Sequence, residues 1–296
     1  MRFGVVGTHF WAQQVHARGL QRCPEAELVG IWGRDPEKSR AAAEDLGVAS
    51  YESYDRLLAD VDAVTFAVPP DVQADLAIAA AQRGRHLLLE KPVATSVPKA
   101  RELLDAALSA GVATTVFVTS KFTPEHRQWL QDVATEGPWY GATAVWLGSA
   151  FEADSPFNTP WRHEKGGLWD VGPHLLAALE DALGPVQRVV SAVAGGRGTT
   201  HLVLVHTDDR LSAATVTLEA PRAAARVDVT VWGESGVTTV PSGSRSEVVD
   251  AFATAAGELV RAATDGTVVT VDLAYGVHLV EVLAEAERLT SSPVRR

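Results

Sequence analysis

Two short segments carry side chains that could move a proton beside a substrate oxygen. In the first, RHLLLEKPVATS, a strand-like run ends in Glu90-Lys91-Pro92. A lysine just past the carboxyl end of a parallel strand stands where open α/β sheets bind ligands. Its ammonium could hold a substrate oxygen or tune proton transfer, because partial burial readily lowers its pKa. A cis Lys91–Pro92 bond would fix its direction, and a plain surface turn is the structural alternative. In the second segment, PWRHEKGGLWDVGPHLLAALEDALG, Asp170 and His174 are four residues apart and share one face if helical geometry extends back to Asp170. Histidine titrates nearest neutral pH, and a neighbouring carboxylate can orient it and raise its pKa. A helix-starting aspartate next to a packed histidine is the alternative there. No third ligand stands at a metal-binding spacing, so no metal is expected.

A third segment, GVVGTHFWA, lies where a first strand meets a first helix. Dinucleotide folds use glycines at this turn for tightness, for close approach of a pyrophosphate and for helix–sheet packing, with the phosphates on free helix N–H groups. Gly7 takes the first glycine position and Ala12 the third, while His9 occupies the middle one and crowds the backbone approach. The second strand ends at Trp32-Gly33-Arg34. Asp35 reads as a helix cap, which leaves Arg34 for a 2′-phosphate and favours NADP over NAD. A solvated turn arginine is the other reading.

These residues need a frame, and the pattern supplies one. Up to about residue 120, apolar strand runs alternate with helical patterns. RFGVVG, AELVGIW, VDAVTFAV, RHLLLE and VATTVFV read as five strands. Helices are expected from Trp11 to Arg22, from Pro36 to Leu46 with Asp35 as N-cap and Gly47 as stop, from Val72 to Arg83, and from Val97 to Ala110. Strands apolar on both faces fit a doubly wound parallel sheet. After Lys121 a helix from Pro124 to about Thr135 leads to GATAVWLGS, then to an irregular stretch from Phe151 to Gly172, and a helix from Pro173 to Leu183. RVVSAVAG, THLVLVHT, LSAATVTLE and ARVDVTVWG follow as strands with short connections, Asp208-Asp209-Arg210 at hairpin distance, and so indicate a mostly antiparallel sheet. Helices over Val248–Thr264 and Leu273–Leu289 close the chain, and the tail SSPVRR is expected to fray. The partition expected is an N-terminal Rossmann-like α/β domain over residues 1–120 and a C-terminal α+β domain over 121–296.

Bulk composition narrows the partners. With 46% hydrophobic and 21% charged residues the chain is of globular type, able to build a core without disulfides. A net charge of −11 repels phosphates over most of the surface, which argues against nucleic acid and anionic membranes as partners. The lone Cys23 excludes an intramolecular disulfide, and no leader pattern or membrane-length apolar run is visible, so a cytoplasmic location is expected.

Taken together, GVVGTHFWA, WGRDPEKSRAAAEDLGV, EKPVATS, WR…GGLWDVGPH and VDLAYGVHLVEVLAEAER resemble, in this order and spacing, the glucose–fructose oxidoreductase/inositol dehydrogenase (Gfo/Idh/MocA) family over nearly the whole chain. The resemblance implies NAD(P)-dependent hydride transfer at a carbinol or carbonyl carbon of a sugar, cyclitol or related small molecule. It also implies that His174 is the general acid/base, that Lys91 polarises the substrate oxygen or assists the proton relay, and that Asp170 orients substrate and His174. The cofactor site expected comprises Gly7, Thr8, His9, Phe10 and Trp11, then Gly33 and Arg34, Val68, Pro69, Pro70 and Gln73, and finally Glu90 and Lys91. Substrate contacts are expected from Lys91, Trp161, Arg162, Trp169, Asp170 and His174. A homodimer or homotetramer through the C-terminal sheet is implied as well. The chain departs from the family in His9, in Gln73 where many members have histidine, and in its shorter length. The shorter length suggests trimmed loops around the substrate, while His9 and Gln73 support a different class of reading, a non-catalytic nucleotide-fold binding or regulatory protein, against which Lys91, Asp170 and His174 argue.

Overall fold

The protein is described by a computed structural model covering residues 1–241 and 247–291. The last five residues of the tail expected to fray lie outside the described residues. The chain divides into two compact units, residues 1–123 with 244–277 and residues 124–243 with 278–296.

In the first unit, β1 (Arg2–Val6), β2 (Glu27–Trp32), β3 (Ala49–Ser50), β4 (Ala63–Phe66), β5 (His86–Glu90) and β6 (Thr114–Phe117) form one sheet in the order β3-β2-β1-β4-β5-β6. Every pairing is parallel. β1 and β4 are buried almost throughout, as strands covered on both faces must be. Chain order reverses between β1 and β4, the switch point at which such sheets open a ligand crevice. The helices are α1 (Arg18–Arg22), α2 (Pro36–Leu46), α3 (Tyr54–Asp60), α4 (Pro70–Gln82) and α5 (Val97–Ala110). Asp35 caps α2 by accepting from the Glu37 and Lys38 N–H groups, and Gly47 ends it in the left-handed conformation (φ 68°).

Three expectations change here. The sheet has six strands rather than five, because β3 is a two-residue edge strand that, with the seven-residue α3, is too short to leave a period. α4 starts at Pro70 rather than Val72, since proline is preorganised for the first helical turn. The first helix is π-helical over Ala12–Ala17 before it becomes α1. That segment holds no glycine or proline, and its buried His16 meets Thr65 and Glu90.

In the second unit, α6 (Pro124–Glu136), β7 (Trp139–Leu147), α7 (Pro160–Asp170), α8 (Gly172–Leu183), β8 (Val186–Ala194), β9 (Thr200–His206), β10 (Leu211–Thr217), β11 (Arg226–Gly233) and β12 (Gly236–Thr239) follow one another. The sheet order is β12-β11-β7-β10-β9-β8, antiparallel at every pairing except β7–β10. One face, with Ala142, Ala144, Leu204, Ala214, Val216 and Val231, is buried, and α8 packs on β7, β10 and β11. The other presents Val193, Val203, Leu211 and Trp232 to solvent. The stretch expected to be irregular contains α7, which sequence periodicity hides because Gly166 breaks it (φ 65°, ψ −166°).

The last helices are α9 (Val248–Asp265), which packs against β5, β6 and the first helix, and α10 (Leu273–Thr290). A single boundary at residue 120 is expected from the sequence, whereas by contact α9 belongs with the first unit. Among the described residues no helix is long and apolar enough to cross a membrane, and no group of three or more His, Cys, Asp or Glu is placed to hold a metal.

Candidate active site

The turn after β1 is shaped by what it excludes. Gly7 has φ +120°, and a Cβ there would lie 2.5 Å from the Ala67 carbonyl oxygen, so only glycine fits. Its N–H donates to the Trp32 carbonyl (2.9 Å), which ties the turn to the end of β2. Gln13 holds the loop from the helix side: its side chain donates to the Thr8 carbonyl (2.7 Å) and its N–H to the His9 carbonyl (3.2 Å). His9 and Phe10 are exposed, so the side chain at the middle glycine position does not fill the turn. Ala12 is fully buried and packs in the place of the third glycine. At Gly33 a Cβ would meet Thr8 Cγ2 at 2.7 Å, so β2 ends in close approach to the same loop. Val68 is half-buried beside Gly7, Pro69 is half-buried and Pro70 is buried. This glycine-lined cradle at a helix N-terminus fits a dinucleotide pyrophosphate.

Beyond β2, Arg34 is exposed. Asp35 is committed elsewhere: Oδ1 accepts from Glu37 N (3.0 Å) and Lys38 N (3.2 Å), while Oδ2 lies 3.7 Å from Lys38 Nζ. The Lys38 N–H bond holds the Asp35 carboxyl below the usual carboxylate range.

At the end of β5 the residue before the lysine is clamped. Gln73, fully buried, accepts from Glu90 N (2.8 Å) and donates to Glu90 O (2.8 Å), with Pro92 O and Val93 O at 3.3 and 3.4 Å. Its amide stands in for a strand, because β4 pairs with β5 only as far as Thr65 opposite Leu88. The Glu90 carboxylate accepts from Trp11 Nε1 (2.7 Å) and lies 3.1 Å from His16 Nε2. His16 in turn meets Thr65 Oγ1 at 2.9 Å and packs on the Phe252 ring (4.3 Å). Lys91 follows at once, half-buried, with a cis bond to Pro92.

The second unit assembles its own set. Arg162 Nε donates to Asp170 Oδ2 (2.8 Å), and its guanidinium lies over Trp161 (4.8 Å) and Phe157 (5.3 Å). The buried carboxylate is thereby paired, and Arg162 is committed to holding it. Trp169 is buried and donates to Glu287 Oε1 (3.0 Å), an oxygen it shares with Lys165 Nζ (3.3 Å). His174, half-buried on the first turn of α8, stacks on Trp146 with centroids 5.4 Å apart at 24°. Gly167 brings α7 down: a Cβ there would stand 2.9 Å from Thr217 Cα.

Of the expected site residues, the structure therefore gathers Gly7, Thr8, Gly33 and Val68 around one turn, and Trp161, Arg162 and Asp170 around one ion pair. Gln73 and Trp169 are interior residues. His16, Thr65 and Trp146 join these groups without any signal in the sequence. A histidine inside an apolar helical run and a tryptophan in a strand carry no local mark of the groups they will meet.

Comparison with known proteins accords with this geometry. Residues 1–118 match the family described as "Oxidoreductase family, NAD-binding Rossmann fold" (GFO_IDH_MocA). An uncharacterised oxidoreductase of Rhizobium meliloti is 38% identical over 108 residues, 36% of this chain and 32% of that protein. A D-xylose 1-dehydrogenase (NADP(+)) of Haloferax volcanii is 30% identical over 201 residues, 67% of this chain and 62% of the relative. The matched part thus spans less than two thirds of these curated relatives. The solved structure of GenD2 from gentamicin A biosynthesis, in complex with NAD, superposes with a TM-score of 0.86 at 22% identity, covering 99% of this chain and 94% of the other. Residues 1–118 thus match the Gfo/Idh/MocA oxidoreductase family, and the chain as a whole shares the fold of the solved structure.

Proposed function

We propose that the protein is an NADP-preferring dehydrogenase or reductase, acting in the cytoplasm on a sugar, cyclitol or similar small polyol or its ketone. The observation that carries the reading is the turn at Gly7, where a +120° φ and the 2.5 Å approach to Ala67 O leave a bare backbone at a helix N-terminus on the switch point. The NADP preference is supported by the exposed Arg34 beside an Asp35 already committed to capping. The xylose dehydrogenase relative is named for NADP and GenD2 was solved with NAD, so both nicotinamides occur among similar proteins.

In this reading Gly7, Thr8, His9, Phe10 and Trp11 would hold the pyrophosphate, Gly33 and Arg34 the adenosine ribose, and Val68 and Pro69 would lie toward the nicotinamide. The bound nicotinamide supplies the carbon that gives or accepts hydride. His174 is assigned to hold or take the proton of a substrate hydroxyl, and Lys91 to donate a hydrogen bond to a substrate oxygen. Asp170, held by Arg162, orients the polyol. The exposed sheet face with Val193, Val203, Leu211 and Trp232 would serve for association of copies into a dimer or tetramer.

Calorimetric titration with NADPH and NADH is the deciding measurement. The reading predicts binding, with NADPH tighter, and loss of turnover in Lys91→Ala and His174→Ala with folding intact. No binding of either cofactor would favour the non-catalytic alternative, and full turnover in both variants would remove the assigned roles.

A further inference from the structure

We propose that His16 and Gln73 are positioning residues for Lys91, acting through the two halves of Glu90; this rests on the assignment of Lys91 to the reaction centre. Gln73 grips the main chain of Glu90 at both its N–H and its carbonyl, and reaches the carbonyls of Pro92 and Val93 on the far side of the lysine. His16 and Trp11 grip its carboxylate at one oxygen. Lys91 is therefore bracketed by atoms that cannot shift without breaking a buried hydrogen bond, which is costly when the partner is left unsatisfied.

The arrangement is more than strand packing. β4 pairs with β5 only as far as Leu88, and beyond it the Gln73 amide continues the ladder to Glu90 on that side. His16 itself is fixed on three sides: Thr65 at Nδ1, Glu90 at Nε2 and the Phe252 ring against its face. It belongs to the π-helical turn that follows the loop after β1, and Trp11 stands immediately before that same turn. One network thus joins the loop that would hold the cofactor to the residue that would meet the substrate. A histidine and a glutamine with no exposure cannot touch either ligand, so their influence runs through Glu90.

The consequence differs between the two. Loss of the Gln73 donor frees only the lysine turn. Loss of the His16 bonds frees both the lysine turn and the π-helical turn, so cofactor affinity falls too. A displacement of about 1 Å at a reacting group costs on the order of 100-fold in rate.

The test uses Gln73→Glu, which keeps the acceptor and loses the donor; Gln73→His, which keeps one of each; and His16→Phe, which keeps the ring and loses both hydrogen bonds. The first readout needs no turnover: the ¹³C signal of reductively methylated Lys91, assigned with Lys91→Arg, in the full-length protein without cofactor. It is expected to move in Gln73→Glu and His16→Phe and to stay near its wild-type position in Gln73→His. The second is the kinetic split: kcat down on the order of 10–100-fold in Gln73→Glu with NADPH affinity retained, and both weakened in His16→Phe. If Gln73→Glu fails to fold, His16→Phe and Gln73→His decide. An unmoved Lys91 signal in folded His16→Phe overturns the proposal, as does a signal displaced equally by Gln73→His. Failure of the wild-type protein to bind either nicotinamide would overturn the functional reading instead, and the Lys91 signal would still test the clamp independently.

Discussion

The Trp146 indole lies nearly flat against the His174 imidazole, with ring centroids 5.4 Å apart and planes 24° from parallel. Stacking restricts the second torsion of the histidine and so sets where its two nitrogens point. Trp146 is held in turn by β7, between Val216 of β10 and Val227 of β11. With His174 as the acid/base, Trp146→Ala is expected to lower kcat about 10-fold or more while substrate KM moves less, since imidazole orientation matters most in the transition state. Trp146→Phe keeps a flat face and retains most of the rate. Steady-state kinetics on the two variants checks this, and equal rates in both would show that the ring plane is set by something else.

Arg34 is the exposed cation at the end of β2, and Asp35 beside it is occupied by backbone amides. If Arg34 holds the 2′-phosphate as proposed, Arg34→Ala removes a charge-assisted contact worth about 1.5–3 kcal/mol from NADPH and nothing comparable from NADH. Affinity for NADPH should fall roughly 10- to 100-fold, with NADH changed little. Fluorescence titration of the two reduced cofactors reads the ratio directly. An unchanged ratio would mean that Arg34 is a solvated turn residue.

Much of the first unit is legible in the sequence because each of its elements announces itself locally. α2 carries its own start and stop in Asp35, Pro36 and Gly47, and α5 ends at Gly111 in the left-handed conformation as a helix of that pattern should. The sites that are not legible depend on partners far along the chain. Gln73 looks like a cofactor contact from its place after Pro69-Pro70, yet its amide is used up by Glu90, 17 residues on. Arg162 and Asp170 look like separate substrate contacts, and only the turn of α7 shows that they hold each other. α7 itself is hidden by Gly166-Gly167, because glycine pairs signal loops in sequence whatever they do in space.

That glycine pair gives a third prediction. Gly166 needs a positive φ, and Gly167 lies so close to β10 that a Cβ would stand 2.9–3.1 Å from three backbone atoms of Thr217. Backbone cannot move aside as a side chain can. Gly167→Ala is expected to cost about 1–3 kcal/mol by overpacking and to push the end of α7, with Asp170, away from the sheet. Urea unfolding measures the first effect. A rise in substrate KM with NADPH affinity unchanged reports the second, and a variant as stable as the wild type would show that the contact relaxes.

Two histidines of the second unit should give opposite pH signatures. His278 Nε2 lies 2.6 Å from Glu180 Oε1, and this bond raises its pKa above the ordinary 6.5. Its stabilising contribution is complete below pH 6.5 and is lost as pH rises through the raised folded value. His206, with Nδ1 2.7 Å from the Gly184 carbonyl and Nε2 2.7 Å from Ser212 Oγ, has its pKa lowered by burial. The folded protein resists its protonation, so its contribution is intact above pH 6.5 and is lost as pH falls below that value. Relative to wild type, His278→Gln should therefore be most destabilised at acidic pH, the deficit shrinking toward pH 8 as the wild type loses the contribution of the raised His278 pKa. His206→Gln should be most destabilised at pH 8, the deficit shrinking toward pH 5. Each slope is bounded at about 1.4 kcal/mol per pH unit for a single proton. Urea denaturation of both variants from pH 5 to pH 8 measures the two differences, and slopes of the same sign would contradict the assigned charge states.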